Sequence, residues 1–187
     1  PMCFSDFPLL FVIFVAMLEK NEIIQSALHN LKIEELNPMQ EASLEQATGR
    51  KDVILLSPTG SGKTLAYLLP LLLTLKPGND NVQVLILVPS RELALQIDSV
   101  FKAMGTAWKT CCCYGGHPIA EEKKSISGNH PAIIIGTPGR ITDHLSKGNF
   151  NPETIETLII DEFDKSLEFG FHDEMAEIIT QLPGLKK

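Results

Sequence analysis

Arginine is scarce in this chain, which holds only Arg50, Arg91 and Arg140 among its 187 residues. Acidic side chains outnumber basic ones by 23 to 16, giving a formal net charge of -7. That balance excludes a protein that binds nucleic acid through bulk positive charge, so any such contact has to come from a local patch or from backbone amides. Separated cysteine pairs are also lacking. Cys3 stands alone and Cys111-Cys112-Cys113 are consecutive, whereas zinc sites space their ligands. Neighbours on a strand point to opposite faces. The triplet therefore reads as a buried strand with small apolar side chains, and unpaired thiols fit a reducing, cytoplasmic setting. No apolar run reaches the length of a membrane span. The run Phe7 to Leu18, FPLLFVIFVAML, is too short for one, and no Lys or Arg precedes it as a signal peptide requires. It reads as an element packed on the domain, as a hydrophobic contact for another chain, or as a stretch upstream of a natural start near Met17. Internal repeats and low-complexity tracts are absent as well.

What is present is a chain with 44% hydrophobic residues, enough for a real core in one domain of ordinary α/β size. Helical spacing of Ile23, Ile24, Ala27, Leu28 and Leu31 predicts a helix over Asn21 to Leu31. Pro38 opens another through Ala47, because proline suits the first helical turn. The run from Gly49 to Asp52 is a turn into a first strand, Val53 to Leu56. Thr64 to Leu75, Arg91 to Met104 and His172 to Leu182 are further helices. Val82 to Val88, Thr110 to Tyr114, Ala132 to Ile135 and Thr157 to Ile160 are further strands. Apolar strands alternating with helices predict an α/β fold whose mostly parallel sheet is covered on both faces.

Two motifs carry chemistry. Ser57 to Thr64 read SPTGSGKT, a loop from a strand end into a helix. Only small residues let backbone N–H groups close around a phosphate, and a helix N-terminus adds favourable partial charge. In this pattern Lys63 reaches the β/γ-phosphates of a nucleotide and Thr64 offers its hydroxyl to Mg²⁺. The second motif, TLIIDEFD from Thr157 to Asp164, delivers Asp161 and Glu162 to the C-terminal edge of the sheet, where ligands of open α/β sheets bind. Three shorter motifs sit at the same edge: Pro89-Ser90-Arg91-Glu92, Gly115-Gly116 and Thr137-Pro138-Gly139-Arg140. Their two arginines, glycine amides and helix N-termini suit a sugar-phosphate backbone whose bases are not read.

In this order and spacing, Gln40, SPTGSGKT, PSREL, GG, TPGR and DEFD resemble the first RecA-like domain of the DEAD-box RNA helicases, from Gln40 to about Leu182. The resemblance implies an ATP-dependent RNA helicase with a RecA-like P-loop fold. Gln40 would read adenine, while Ser57, Pro58, Thr59, Gly60, Ser61, Gly62, Lys63 and Thr64 hold the phosphates. Lys63, Asp161 and Glu162 would be catalytic. Thr64 and Asp161 would hold Mg²⁺ through nucleotide and water, and Glu162 would position the attacking water. Pro89, Ser90, Arg91, Glu92, Gly115, Gly116, Thr137, Pro138, Gly139 and Arg140 would line the RNA path, and Asp164 would couple to a second RecA-like domain. Residues 20–187 would form the first such domain, behind an apolar segment over residues 1–19. With the second domain and its arginine fingers missing, turnover by this chain alone is expected to be negligible. A cytoplasmic monomer that contacts RNA, without sequence preference, and no membrane completes the expectation. Departures from the family pattern are Phe163 and Ser57 in place of alanine, Ser90 in place of threonine, and Ile23 near where an adenine-stacking aromatic would stand. Phe163 is expected to pack inward, away from the nucleotide. The alternatives are a DNA translocase, or a non-catalytic RNA-binding adaptor on the same fold.

Overall fold

The computed structural model describes residues 22–47, 52–58 and 60–186. The Phe7 to Leu18 run and most of the predicted Gly49 to Asp52 turn lie outside these residues. Two compact units are present. One comprises the described residues up to Thr74 together with Ala103–Thr106, and the other Leu75–Lys102 and the residues from Ala107 onward.

The first unit is helical. α1 (Glu22–Leu31) buries Ile24 and Ala27, and Asn30 Nδ2 donates to the Met104 carbonyl at 2.9 Å. α2 (Pro38–Ala47) packs against α3 (Lys63–Thr74). Pro70 lies inside α3, and its missing N–H leaves the carbonyl four residues earlier, on Ala66, without its helical donor. Ser43 of α2 supplies one: its hydroxyl donates to Ala66 O at 2.5 Å. The kink-prone proline is thereby tied to the helix beside it. The strand predicted over Val53 to Leu56 does not form, because residues 52–58 carry no regular secondary structure. Val53, Ile54 and Leu56 are 46%, 86% and 89% exposed. Four consecutive apolar residues have no periodicity that specifies a strand. A strand exists only where a neighbour takes its backbone hydrogen bonds, and among the described residues none pairs with this run.

The second unit is a parallel sheet of four strands, β1 (Val84–Leu87), β2 (Thr110–Cys113), β3 (Ile133–Gly136) and β4 (Thr157–Ile160), in the order β2-β3-β1-β4. The central strands β1 and β3 are buried along their whole length, as expected for near-continuous apolar runs covered on both faces. Helices α4 (Arg91–Ala103), α5 (Ile119–Asn129), α6 (Pro138–Ser146), α7 (Phe163–Glu168) and α8 (His172–Thr180), with a 3₁₀ turn at Pro152–Thr154, link and follow the strands. One sheet face buries Leu85, Leu87, Cys111, Cys113 and Ile134 with Ile126, Ile141, Leu145, Met175 and Ile178. On the other face Thr110 and Cys112 reach α4, where they bond Asp98 and the Ala94 carbonyl. The cysteine triplet is thus an alternating edge strand, as its sequence suggested. Burial pushes the Cys112 thiol up to about 12. Four of the five predicted strands and all five predicted helices form, with no end moved by more than two residues. α5, α6 and α7 were not specified by the sequence reading.

Gly136, the last residue of β3, stands where a side chain has no room. A Cβ there would lie 2.4 Å from the Cys113 carbonyl and 2.7 Å from Ile141 Cδ1. Both neighbours belong to regular elements and cannot move aside freely. Gly136→Ala should therefore destabilise the chain by about 1–3 kcal/mol, the usual range for overpacking, seen as a lower urea midpoint at unchanged slope.

Candidate functional site

The loop into α3 is built by two glycines in the left-handed region, Gly60 at φ +81 and Gly62 at φ +86. At Gly62 a side chain would be strained by that backbone, and its Cβ, 2.6 Å from Gln40 Nε2, would displace the Gln40 amide. α2 holds this loop from outside. Asn37 and Gln40 form a reciprocal cap at the start of α2, in which the Asn37 N–H donates to Gln40 Oε1 and the Gln40 N–H to Asn37 Oδ1, both at 3.0 Å. Their other amide ends reach into the loop: Asn37 Nδ2 donates to Ser61 O at 3.0 Å and Gln40 Nε2 to Gly62 O at 3.3 Å. Gln40 is 6% exposed, yet its amide keeps one further N–H and one further lone pair, the donor–acceptor pair an adenine edge needs. Ser57 and Ser61 share a short hydroxyl contact. Pro58 and Gly60 are exposed, while Lys63 and Thr64 stand half-buried at the helix N-terminus. Thr59 lies outside the described residues.

In the second unit the four strand ends deliver the remaining motifs. After β4, the Asp161 N–H bonds the Leu87 carbonyl and the Glu162 N–H bonds Asp161 Oδ1 at 2.9 Å. Glu162 sits at φ +48, a left-handed conformation that costs a residue with a Cβ and persists only where the surroundings impose it. Its carboxylate is steadied by Lys165 Nζ at 3.0 Å, and that contact raises the lysine above its ordinary pKa. Phe163 opens α7 and is 51% exposed, so the expectation of an inward Phe163 is corrected. Strand alternation stops at Ile160, and the helical start at Phe163 gives Glu162, Phe163 and Asp164 directions that a continued strand would not.

The arginine motifs converge on one loop, Tyr114 to His117. The Arg91 guanidinium lies over the Tyr114 ring at 5.1 Å from its centroid, a cation–π distance. Ser90 caps α4 by accepting the Leu93 N–H at 3.2 Å. Glu92, Gly115 and Gly116 are exposed, Gly116 at φ +99. From the other side Arg140 Nη2 donates to His117 O at 2.8 Å. Pro138 is buried and Gly139 exposed at the start of α6, where the Thr137 hydroxyl makes no capping bond. Beneath the loop lies Glu122, 3% exposed. It accepts from the Tyr114 N–H at 2.9 Å, faces His117 Nε2 at 2.8 Å and His144 Nε2 at 2.6 Å, and has Arg140 Nη1 at 3.6 Å. The Asn149 amide lies 3.0 Å from His144 Nδ1 on the far side of the ring. Cys113, Glu122 and His144 have potential ligand atoms within 4.8 Å of one another. The carboxylate is already served by these donors, however, and the guanidinium opposes a cation, so the cluster fits a hydrogen-bond network better than a metal centre.

Sequence reasoning missed Tyr114, His117, Glu122, His144, Asn149 and Lys165. Only Lys165 left a local signal, its place three residues after Glu162. The phosphate loop belongs to the first unit, and the acid pair and arginine motifs to the second.

A family model described as DEAD/DEAH box helicase matches residues 37–187. Among curated proteins, the ATP-dependent RNA helicase CshA of Listeria monocytogenes is 35% identical over 87% of this chain and 32% of its own length. The DEAD-box ATP-dependent RNA helicase RhpA of Helicobacter pylori is 38% identical over 79% of the chain and 30% of its own length. A solved structure of a hypothetical ATP-dependent RNA helicase from Sulfolobus tokodaii superposes with a TM-score of 0.79 at 31% identity, covering 89% of this chain and 48% of that one. The chain spans about a third of the length of these curated relatives.

The double use of Gln40 generates a stability prediction. Gln40→Ala removes the helix cap and the loop tether together and should cost about 1–2 kcal/mol in urea unfolding. Gln40→Glu keeps an acceptor for the Asn37 N–H, loses the bond to Gly62, and should fall between Ala and the unaltered chain.

Proposed function

The chain belongs to the DEAD/DEAH box helicase family, with the family's α/β RecA-like fold, and on that premise we propose that it is the ATP-binding part of an ATP-dependent RNA helicase. The observation that carries the proposal is the loop before α3. Its glycines adopt φ +81 and +86, where any side chain is strained, and the loop leads into a helix that starts at Lys63. Backbone amides at such a turn, followed by a helix N-terminus and a lysine, suit the phosphates of a nucleotide.

In this reading Ser57 to Gly62 cradle the phosphates, Lys63 neutralises the terminal one, and Gln40 selects adenine with the donor and acceptor left over from its cap. Thr64 and Asp161 would hold Mg²⁺ through the nucleotide and water. When bound, the ion supplies charge neutralisation on the phosphates. Glu162, held by its left-handed backbone and by Lys165, orients the attacking water. Asp164 couples the box to a second RecA-like domain of the whole protein. RNA runs along the edge carrying Arg91, Glu92, the Gly115–Gly116 amides, the Thr137 hydroxyl and Arg140, held by backbone contacts without sequence preference. Pro89 and Ser90 set the start of α4 on that path, and Pro138 and Gly139 the start of α6. We further propose a monomer working in the cytoplasm; no described helix is long and apolar enough to cross a membrane.

Isothermal titration with Mg-ATP tests the nucleotide half of the proposal. Lys63→Ala should weaken binding by roughly 10- to 100-fold, since a charge-assisted bond to phosphate is lost. Gln40→Ala should lose the preference for adenine over guanine while retaining more affinity than Lys63→Ala. An unaltered chain that binds no nucleotide would sink the reading.

For RNA, the net charge of -7 leaves only local contacts, so affinity should be in the weak non-specific range, roughly 10⁻⁴ to 10⁻⁶ M. Arg91→Ala should weaken unrelated single strands equally and reduce the slope of log K against log salt by about one. Anisotropy titrations at two salt concentrations decide it, and a marked preference for one sequence would count against backbone recognition.

A further inference from the structure

We propose that Glu122, which belongs to none of the sequence motifs, is a positioning residue for the RNA-contact edge; this rests on the RNA reading given above. Its carboxylate touches both ends of the Tyr114 to His117 loop and the helix behind it. On the loop it takes the Tyr114 N–H at 2.9 Å and faces His117 Nε2 at 2.8 Å. On α6 it faces His144 Nε2 at 2.6 Å and Arg140 Nη1 at 3.6 Å. Arg140 closes the circuit by donating to the His117 carbonyl at 2.8 Å, with its own side chain only 12% exposed. The loop that carries Gly115 and Gly116 is itself exposed and, at Gly116, left-handed at φ +99. Glycines leave it free to move, and the buried carboxylate with its partners limits that freedom. Removing one member of a buried charged network leaves the others unpaired. The effect of Glu122 on RNA therefore travels through Tyr114, His117 and Arg140, and Arg140 acts first by shaping the loop.

The sign of one substitution separates this from simple charge. Glu122→Gln removes a negative charge from an acidic chain, which by electrostatics alone tightens binding to a polyanion. Release of the loop weakens it instead. Anisotropy titration of the full 187-residue chain with a fluorescein-labelled oligouridylate should show affinity falling roughly tenfold for Glu122→Gln. Arg140→Ala combined with Glu122→Gln should be no weaker than the more damaging single variant, because residues acting as one unit are not additive. His117→Ala cuts the contact at the loop surface without opening the core, and keeps the question answerable if Glu122→Gln melts at assay temperature. It should lose affinity in the same direction by a smaller factor. Unchanged or tighter binding by folded Glu122→Gln or by His117→Ala, or losses for Glu122 and Arg140 that simply add, would overturn the inference alone. Failure of the unaltered chain to bind the probe would overturn the RNA reading and this inference with it.

Discussion

Leu87, Gly136, Cys113 and Ile160 stand level across the sheet, each paired with its neighbour in parallel register. The ladder continues one residue further at every junction: the Val88 N–H bonds Gly136 O, the Thr137 N–H bonds Cys113 O and the Asp161 N–H bonds Leu87 O, at 3.0–3.1 Å. A parallel ladder fixes the position of each strand relative to the next. Four chain segments distant in sequence therefore leave the sheet at the same height, and the residues that follow them have to share one edge. A slip of one residue would break the continuous set of ladder bonds that runs past the strand ends. The ladder thus holds the acid pair and the arginine motifs of this unit at one edge.

At that edge, short polar networks do what the sheet cannot. Glycine-rich loops suit a phosphate backbone because their amides are exposed, but the same glycines make them loose. Arg91 over Tyr114, Arg140 on His117 O, and Glu122 beneath both restrain one such loop from three directions. The first unit solves the same problem differently. There the Asn37–Gln40 pair caps α2 and, with its remaining amide groups, ties the glycine loop at Ser61 and Gly62. In each case a side chain that satisfies a backbone orphan also sets the geometry of a candidate contact surface.

Much of this protein was legible in its sequence, and for identifiable reasons. Strands β1, β3 and β4 announced themselves as short apolar runs, and helices α1, α2 and α4 by spacing and by punctuation at Pro38 and Gly105. The phosphate-loop pattern, the acid pair and the shared edge of Arg91 and Arg140 rest on local residue order and on strand–helix alternation, both of which a sequence contains. The conformations decided locally, at Gly60, Gly62 and Gly116, followed from residue type as well.

Only the tertiary structure decided what depends on partners far along the chain. Val53 to Leu56 had a strand's composition but no neighbour to complete its hydrogen bonds among the described residues, so composition misled. Phe163 turned outward because α7 begins there, at a left-handed Glu162 that strand alternation could not foresee. Glu122 carries no mark in the sequence beyond standing next to another acid, Glu121. It is buried because Tyr114, His117, Arg140 and His144, separated from it by 5 to 22 positions, converge on its carboxylate. A sequence fixes what is near in the chain and periodic along it, whereas a buried charge is permitted only where folding has already assembled its donors.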